Sequence, residues 1–178
     1  MRTLQHAYGE DVHILDDPYL NALLTRLCIP STGQPLFNDL IRQVYEGLAK
    51  HVITTTFPTK KVSVKTRMAT EYPQAVLSSE IIDTQTSTVV VDIARAGILP
   101  SQVCYDLLNG ILTPNLVRQD HLIMARTVDA EEHVIGAEIS GSKIGGGIQD
   151  RVLIFPDPMG ATGGSLATAI EAYLARGL

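Results

Sequence analysis

The sequence is short of several features that mark large classes of proteins. Its 178 residues include only two cysteines, Cys28 and Cys104, whose separation matches neither a metal-binding nor a redox motif. No uninterrupted apolar run reaches the ~18 residues of a membrane-spanning helix, and the N-terminus lacks the charged-then-apolar pattern of a signal peptide. We therefore expect a cytoplasmic protein with reduced thiols and no membrane partner.

An excess of basic residues is also missing. The chain has 14 Lys and Arg against 19 Asp and Glu, a formal net charge of −5. Proteins that follow the phosphates of nucleic acids normally carry a basic face, so we expect no general nucleic-acid partner, although a local basic pocket is compatible with this balance. The 5 histidines form no i, i+4 pair and have no cysteine nearby. Protein side chains alone are therefore not expected to build a metal site.

The residues that are present predict one α/β domain. Hydrophobic residues make up 45% of the chain and charged residues 19%, which is ordinary globular composition. Apolar strands near residues 89, 121 and 152, with helices after the first and third, predict a parallel sheet flanked by helices. We expect N-terminal helices and an arm over about residues 1–85 and a ligand-binding core over about residues 86–178.

The N-terminal part contains two predicted helices and a predicted hairpin. Asp17 and Pro18 are typical of a helix start, and leucines at helical spacing follow. A second helix follows the break at residues 31–35. Residues 61–68 alternate between apolar and polar, and a turn at residues 71–73 leads to a second extended run over residues 75–82. The arm carries a basic edge of Lys60, Lys61, Lys65 and Arg67, either a solvated strand face or a cation source for a ligand.

A glycine-rich segment between an apolar run and an Ala/Leu-rich segment is the strongest motif. Residues 152–155 predict a strand, residues 156–165 a loop, and the Ala/Leu-rich residues that follow a helix. Such a loop binds anions, because unpaired N–H groups and the helix dipole both face the ligand. Thr162 and Ser165 add hydroxyl donors, and Asp157 can accept hydrogen bonds from two sugar hydroxyls. Together they predict a ribose 5-phosphate ligand. Neither a Walker A sequence nor a G-x-G-x-x-G fingerprint occurs.

The nine residues 157–165 resemble the phosphoribosyl-diphosphate (PRPP) loop of type I phosphoribosyltransferases. They are very close to the version of this loop found in uracil phosphoribosyltransferases. Gly160 stands where that family usually has a larger apolar residue. The resemblance implies a catalytic role for Asp157. It also implies that PRPP binds along the whole loop, which comprises Asp157, Pro158, Met159, Gly160, Ala161, Thr162, Gly163, Gly164 and Ser165.

Two further segments resemble the same family. Arg95-Ala96-Gly97 follows the predicted strand at residues 88–93 and is similar to the family's diphosphate-binding loop, which implies a catalytic and PRPP-binding Arg95. Small residues let the backbone approach a diphosphate, and arginine is a forked, permanently charged donor. Arg126 ends the next apolar run, where the family places a second PRPP-contacting arginine.

The segment after Arg126 occupies the position of the family's flap. It contains Asp129, Glu131 and Glu132, an extended run at residues 134–139, and three glycines at residues 145–147. Consecutive glycines favour a mobile hinge. An undemanding surface loop accounts for this composition equally well.

The resemblance implies transfer of the 5-phosphoribosyl group of PRPP to uracil, giving UMP and pyrophosphate, in pyrimidine salvage. It also implies Mg²⁺ bound mainly through PRPP, and a homodimer or higher homo-oligomer. A family-type Tyr-Ile-Val-Pro-Gly segment that reads the base is absent before Leu178. We expect either that the chain continues past Leu178 or that it lacks this base site. A PRPP-binding or regulatory homologue without activity, another acceptor base, and an RNA-binding regulator remain alternatives.

Overall fold

The computed structural model describes residues 2–128 and 134–175. Its β-strands are β1 (Arg2–Thr3), β2 (Leu15–Asp16), β3 (Thr59–Lys65), β4 (Val76–Ile82), β5 (Thr88–Ala94), β6 (Val117–Val128), β7 (Val134–Lys143) and β8 (Val152–Ile154). Its α-helices are α1 (Pro18–Leu27), α2 (Leu36–Thr56), α3 (Ile98–Asn109) and α4 (Gly164–Leu174). Within the described ranges, none of these helices is long and apolar enough to cross a bilayer.

The two N-terminal helices begin where the sequence predicts them. The Asp17 carboxylate accepts hydrogen bonds from the N–H groups of Tyr19 and Leu20, at 2.9 and 3.0 Å, and Pro18 occupies the first helical position. Helix α1 packs on α2 through Leu20, which lies so close to Gly47 that a Cβ there would collide with it. The absence of a side chain at Gly47 therefore leaves room for the Leu20 side chain.

The predicted hairpin arm is present, with a shorter first strand. Strands β3 and β4 pair antiparallel from Thr59 opposite Ile82 to Lys65 opposite Val76. The predicted alternation up to Met68 was wrong, because the chain turns into a 3₁₀ helix at Arg67–Thr70. The basic edge is also partly neutralised, since Lys60 Nζ lies 2.8 Å from Asp83 Oδ1 and donates to Thr84 as well.

The main sheet has four strands in the order β7-β6-β5-β8. Strands β6 and β8 flank β5 and both run parallel to it, with Val90 opposite Gln119 on one side and Ile154 on the other. The predicted fold class, an α/β parallel sheet flanked by helices, is confirmed. Strand β7 is the one difference: it returns antiparallel beside β6, so the sheet is mixed at that edge.

Helices cover both faces of this sheet. Helices α2 and α3 bury one face around Val90, Leu108 and Ile53, and α4 buries the other around Val91, Leu122 and Ala169. Strand β5 is buried along almost its whole length, as expected for a central parallel strand. The loops at the carboxyl ends of β5 and β8 are left uncovered by either layer and form the candidate site.

Candidate functional site

The two loops predicted to bind PRPP leave neighbouring strands at the same edge of the sheet. Strand β5 ends at Ala94 and continues into Arg95, while β8 ends at Ile154 and continues into residues 155–163. Because β5 and β8 are parallel and paired, their carboxyl ends lie side by side. The fold thus brings together the two loops, which are about 60 residues apart in the sequence.

Asp157 occupies the start of the phosphate loop, where its carboxylate is only half-buried. One oxygen, Oδ1, accepts a hydrogen bond from the Met159 N–H at 2.9 Å, so the side chain organises its own turn. Within residues 2–128 and 134–175, its Oδ2 has no hydrogen-bond partner. This oxygen is therefore available to a sugar hydroxyl.

The N-terminus of α4 is open to a ligand. Its cap residue, Gly163, has a left-handed backbone with φ of +76° and supplies no side chain to the first turn. The Gly164 N–H makes a weak contact of 3.4 Å with Thr162 Oγ1. The loop residues 158–164 are all exposed. Unpaired amides at the positive end of a helix dipole form a phosphate site.

The Arg95 loop combines an exposed cation with a tightly packed glycine. Arg95 and Ala96 are exposed, and the peptide bond between Ala94 and Arg95 is cis. Gly97 is buried at the start of α3, where an added Cβ would lie 2.8 Å from the backbone nitrogen of Ile93 and 2.9 Å from its oxygen. Gly97 thus permits close packing of helix on strand, and Arg95 is the residue free to reach an anion.

Arg126 lies at the same edge as the two loops. Its backbone is in β6, paired with Ala137 of β7, three residues beyond the level of Ala94. The side chain of Arg126 is outside the described part of the chain, as are the predicted flap residues Asp129, Glu131 and Glu132. Their contacts to a ligand stay predictions.

A family model described as uracil phosphoribosyltransferase matches residues 14–178. The chain belongs to the uracil phosphoribosyltransferase family. This confirms the resemblance found in the two loops. Among curated relatives, the uracil phosphoribosyltransferase of Metamycoplasma hominis is 32% identical over 162 residues, covering 89% of this chain and 68% of that protein. The one from Dictyoglomus thermophilum is 27% identical over 167 residues, covering 94% and 72%.

The fold is also found in a solved structure. The AQ2163 protein from Aquifex aeolicus superimposes with a TM-score of 0.68 over 90% of this chain and 68% of its own, at 17% identity. At this identity the similarity concerns the fold alone. The shared fold agrees with the architecture of this chain, a member of the uracil phosphoribosyltransferase family.

Two residues near the site were missed by sequence reasoning. Tyr45, on the buried face of α2, has its pKa raised by burial and further by the negative charge of the Asp157 carboxylate. Asp92 is 3% exposed in the middle of β5, and its Oδ2 lies 3.0 Å from His121 Nδ1. An aspartate inside an apolar strand was the available signal for Asp92. Tyr45 offered none beyond its place one turn after Ile41.

Proposed function

We propose that this chain transfers the 5-phosphoribosyl group of PRPP to uracil, giving UMP and pyrophosphate. The observation that carries the proposal is the match of a uracil phosphoribosyltransferase family model to residues 14–178. The adjacent loops at the carboxyl ends of β5 and β8 supply the phosphate-binding and cationic groups that such a reaction needs. The reaction belongs to pyrimidine salvage.

Different residues of the site bind different parts of PRPP. The uncapped amides of residues 161–165 and the dipole of α4 hold the 5′-phosphate, while the free Asp157 oxygen accepts hydrogen bonds from the ribose hydroxyls. Arg95, and Arg126 on the neighbouring strand, bind the departing pyrophosphate. Departure of pyrophosphate leaves positive charge on the sugar, so catalysis consists of fixing the sugar and neutralising the leaving group.

Mg²⁺ fits this donor set as a companion of the substrate. In the part of the chain that the structure describes, no three His, Cys, Asp or Glu side chains come close enough together to hold a metal. Asp157 is the carboxylate that the loop offers, and one of its oxygens is already engaged. The ion would therefore be held mainly by PRPP oxygens, where it offsets the charge of the diphosphate.

We also propose that the protein is a homodimer or a higher homo-oligomer. The hairpin arm exposes large apolar side chains, among them Val64 and Leu77, which face each other across β3 and β4 and are 51% and 56% exposed. Contiguous apolar surface of this kind is typical of an interface. Sedimentation equilibrium tests the proposal, and a monomer at micromolar concentration would contradict it. A cytoplasmic location stays a prediction.

Turnover and binding test the proposed reaction together. With PRPP, uracil and Mg²⁺, we expect UMP formation, measured by chromatography, and PRPP binding, measured by calorimetry. Asp157→Asn should keep the circular dichroism spectrum and lower kcat by about 100-fold or more, because sugar positioning is lost. Asp106→Asn, which changes an exposed carboxylate on α3, is the matched control.

The outcomes separate the alternatives left by the sequence. Binding of PRPP without formation of UMP would replace the transferase with a PRPP-binding homologue. Turnover with another base and none with uracil would change the acceptor. Absence of PRPP binding would overturn the proposal.

A further inference from the structure

A fully buried carboxylate on β6 links this strand to the glycine segment at residues 145–147 and to helix α4. Asp120 is 0% exposed, and each of its oxygens accepts two hydrogen bonds. Oδ1 accepts from Arg118 Nε at 2.8 Å and from the Gly145 N–H at 3.0 Å. Oδ2 accepts from Arg118 Nη2 at 3.0 Å and from the Tyr173 hydroxyl at 2.8 Å. A buried charge is tolerated in a protein when it is paired and saturated in this way.

Arg118 extends the contact to the three glycines before β8. Its Nη1 donates to the Gly147 carbonyl at 3.1 Å and its Nη2 to the Gly146 carbonyl at 3.2 Å. A Cβ on Gly145 would lie 2.7 Å from Arg118 Cδ. The backbone at Gly145 therefore packs against the aliphatic part of the Arg118 side chain at a distance that leaves no room for a larger residue. The glycines that favour a mobile hinge in the sequence are therefore fastened to β6 in the structure.

Tyr173 connects Asp120 to the phosphate-binding helix. It lies in the last turn of α4, is 2% exposed, and meets Phe155 edge-on with ring centroids 5.9 Å apart. Phe155 directly follows β8 and opens the phosphate loop. The Tyr173 side chain thus holds the C-terminal end of α4 and also touches Phe155. Phe155 begins the loop that ends at the N-terminal cap of the same helix.

The length of α4 makes this anchor relevant to the ligand. Gly164 and Tyr173 are nine residues apart in one helix, which corresponds to about 14 Å. A tilt of about 5° at the anchored end moves the amides of the first turn by roughly 1 Å, and a displacement of about 1 Å can reduce a reaction rate by about 100-fold. The hydrogen bond of the Tyr173 hydroxyl therefore affects the position of the phosphate-binding amides at the other end of α4.

We propose that Asp120 is a positioning residue for PRPP: through Tyr173 and Arg118, it holds the N-terminus of α4 and the glycine segment in register with β6. The same strand carries Arg126, so the network sets the phosphate-binding helix against the strand that reaches the pyrophosphate. This inference rests on the proposed function, because the ligand is the PRPP of that site. It concerns groups that never touch the substrate.

Tyr173→Phe is the sharpest variant, because it keeps the ring and its contact with Phe155 and removes only the hydroxyl. We expect the Kd for ribose 5-phosphate and the KM for PRPP to rise about tenfold, with the Kd for inorganic pyrophosphate and the KM for uracil unchanged. Tyr105→Phe is the matched control, since Tyr105 packs on the opposite face of the sheet. Calorimetry is done well below the midpoint of thermal unfolding of each variant.

Arg118→Lys provides a second variant that keeps the charge and loses the fork and the contacts to the glycine segment. It should weaken ribose 5-phosphate binding in the same sense. If both variants lower the unfolding midpoint while leaving all binding constants at wild-type values, the network is structural only and the inference is wrong. A wild-type protein that binds PRPP without making UMP overturns the transferase and leaves the positioning role intact. A wild-type protein that binds neither ribose 5-phosphate nor PRPP overturns both.

Discussion

His121 Nδ1 lies 3.0 Å from Asp92 Oδ2, and the two residues are directly opposite each other in the parallel strands β6 and β5. Asp92 is almost completely buried, and its other oxygen, Oδ1, has no hydrogen-bond partner among residues 2–128 and 134–175. That oxygen would lie 3.2 Å from a Cβ placed on Gly97. The pair therefore lies directly beneath the loop that carries Arg95.

We expect His121→Ala to lower the free energy of unfolding by about 1–3 kcal/mol, because it removes the hydrogen bond to a buried carboxylate. Urea denaturation measures the change. His13→Ala is the control, since His13 is exposed between β1 and β2. A loss no larger in His121→Ala than in the control would mean that the hydrogen bond to Asp92 contributes nothing to stability.

Two glycines of the phosphate loop should respond differently to substitution. Gly163 has φ of +76°, so Gly163→Ala is expected to cost about 1–2 kcal/mol of stability and to weaken PRPP binding by distorting the cap of α4. Gly160 has no positive φ, and nothing lies within 4 Å of its would-be Cβ. Gly160→Ala should therefore leave stability and PRPP affinity near wild type. Equal effects of the two substitutions, measured by denaturation and calorimetry, would count against this distinction.

The ion pair at the base of the hairpin arm should contribute to stability in a pH-dependent way. The hydrogen bond from the Lys60 ammonium lowers the pKa of Asp83 from its ordinary 3.8. A smaller lowering comes from the hydrogen bond of the Gln85 N–H. A carboxyl group with a lowered pKa stabilises the fold above its unfolded pKa, and the contribution disappears as the pH falls through the folded value. We expect Lys60→Met to be less stable than wild type at pH 6 and to differ less from it near pH 2. The exposed Lys61→Met is the control, and a difference independent of pH would contradict the assignment.

The two thiols should differ in reactivity. Cys104 is 3% exposed, and burial raises the pKa of its thiol to about 11, whereas Cys28 is exposed. The thiolate is the reactive form, so at pH 8 we expect one fast-reacting thiol in the folded protein and two in urea. Rapid titration of both thiols without denaturant would show that α3 does not protect Cys104.

Local patterns predicted most of the elements for a simple reason: the residues that define them are neighbours in the chain. Asp17 caps the helix it precedes, and the apolar residues of β5 are buried together. Predictions failed where distant residues intervene. Strand β6 begins at Val117, earlier than the apolar run at residue 121, because residues 117–120 pair with residues 88–91 of the distant strand β5.

Candidate site residues could be proposed from the sequence because each lies in a short segment with a local conformation: Asp157 in its turn, Gly163 at its helix cap, Arg95 after its strand. The contacts that hold these segments together were not readable. Tyr173 and Asp120 are 53 residues apart, and His121 and Asp92 are 29 apart. The residues adjacent in the sequence do not indicate which partner each of these side chains will have. Such pairs form only when parallel strands and their covering helices bring distant side chains into one buried, low-dielectric layer.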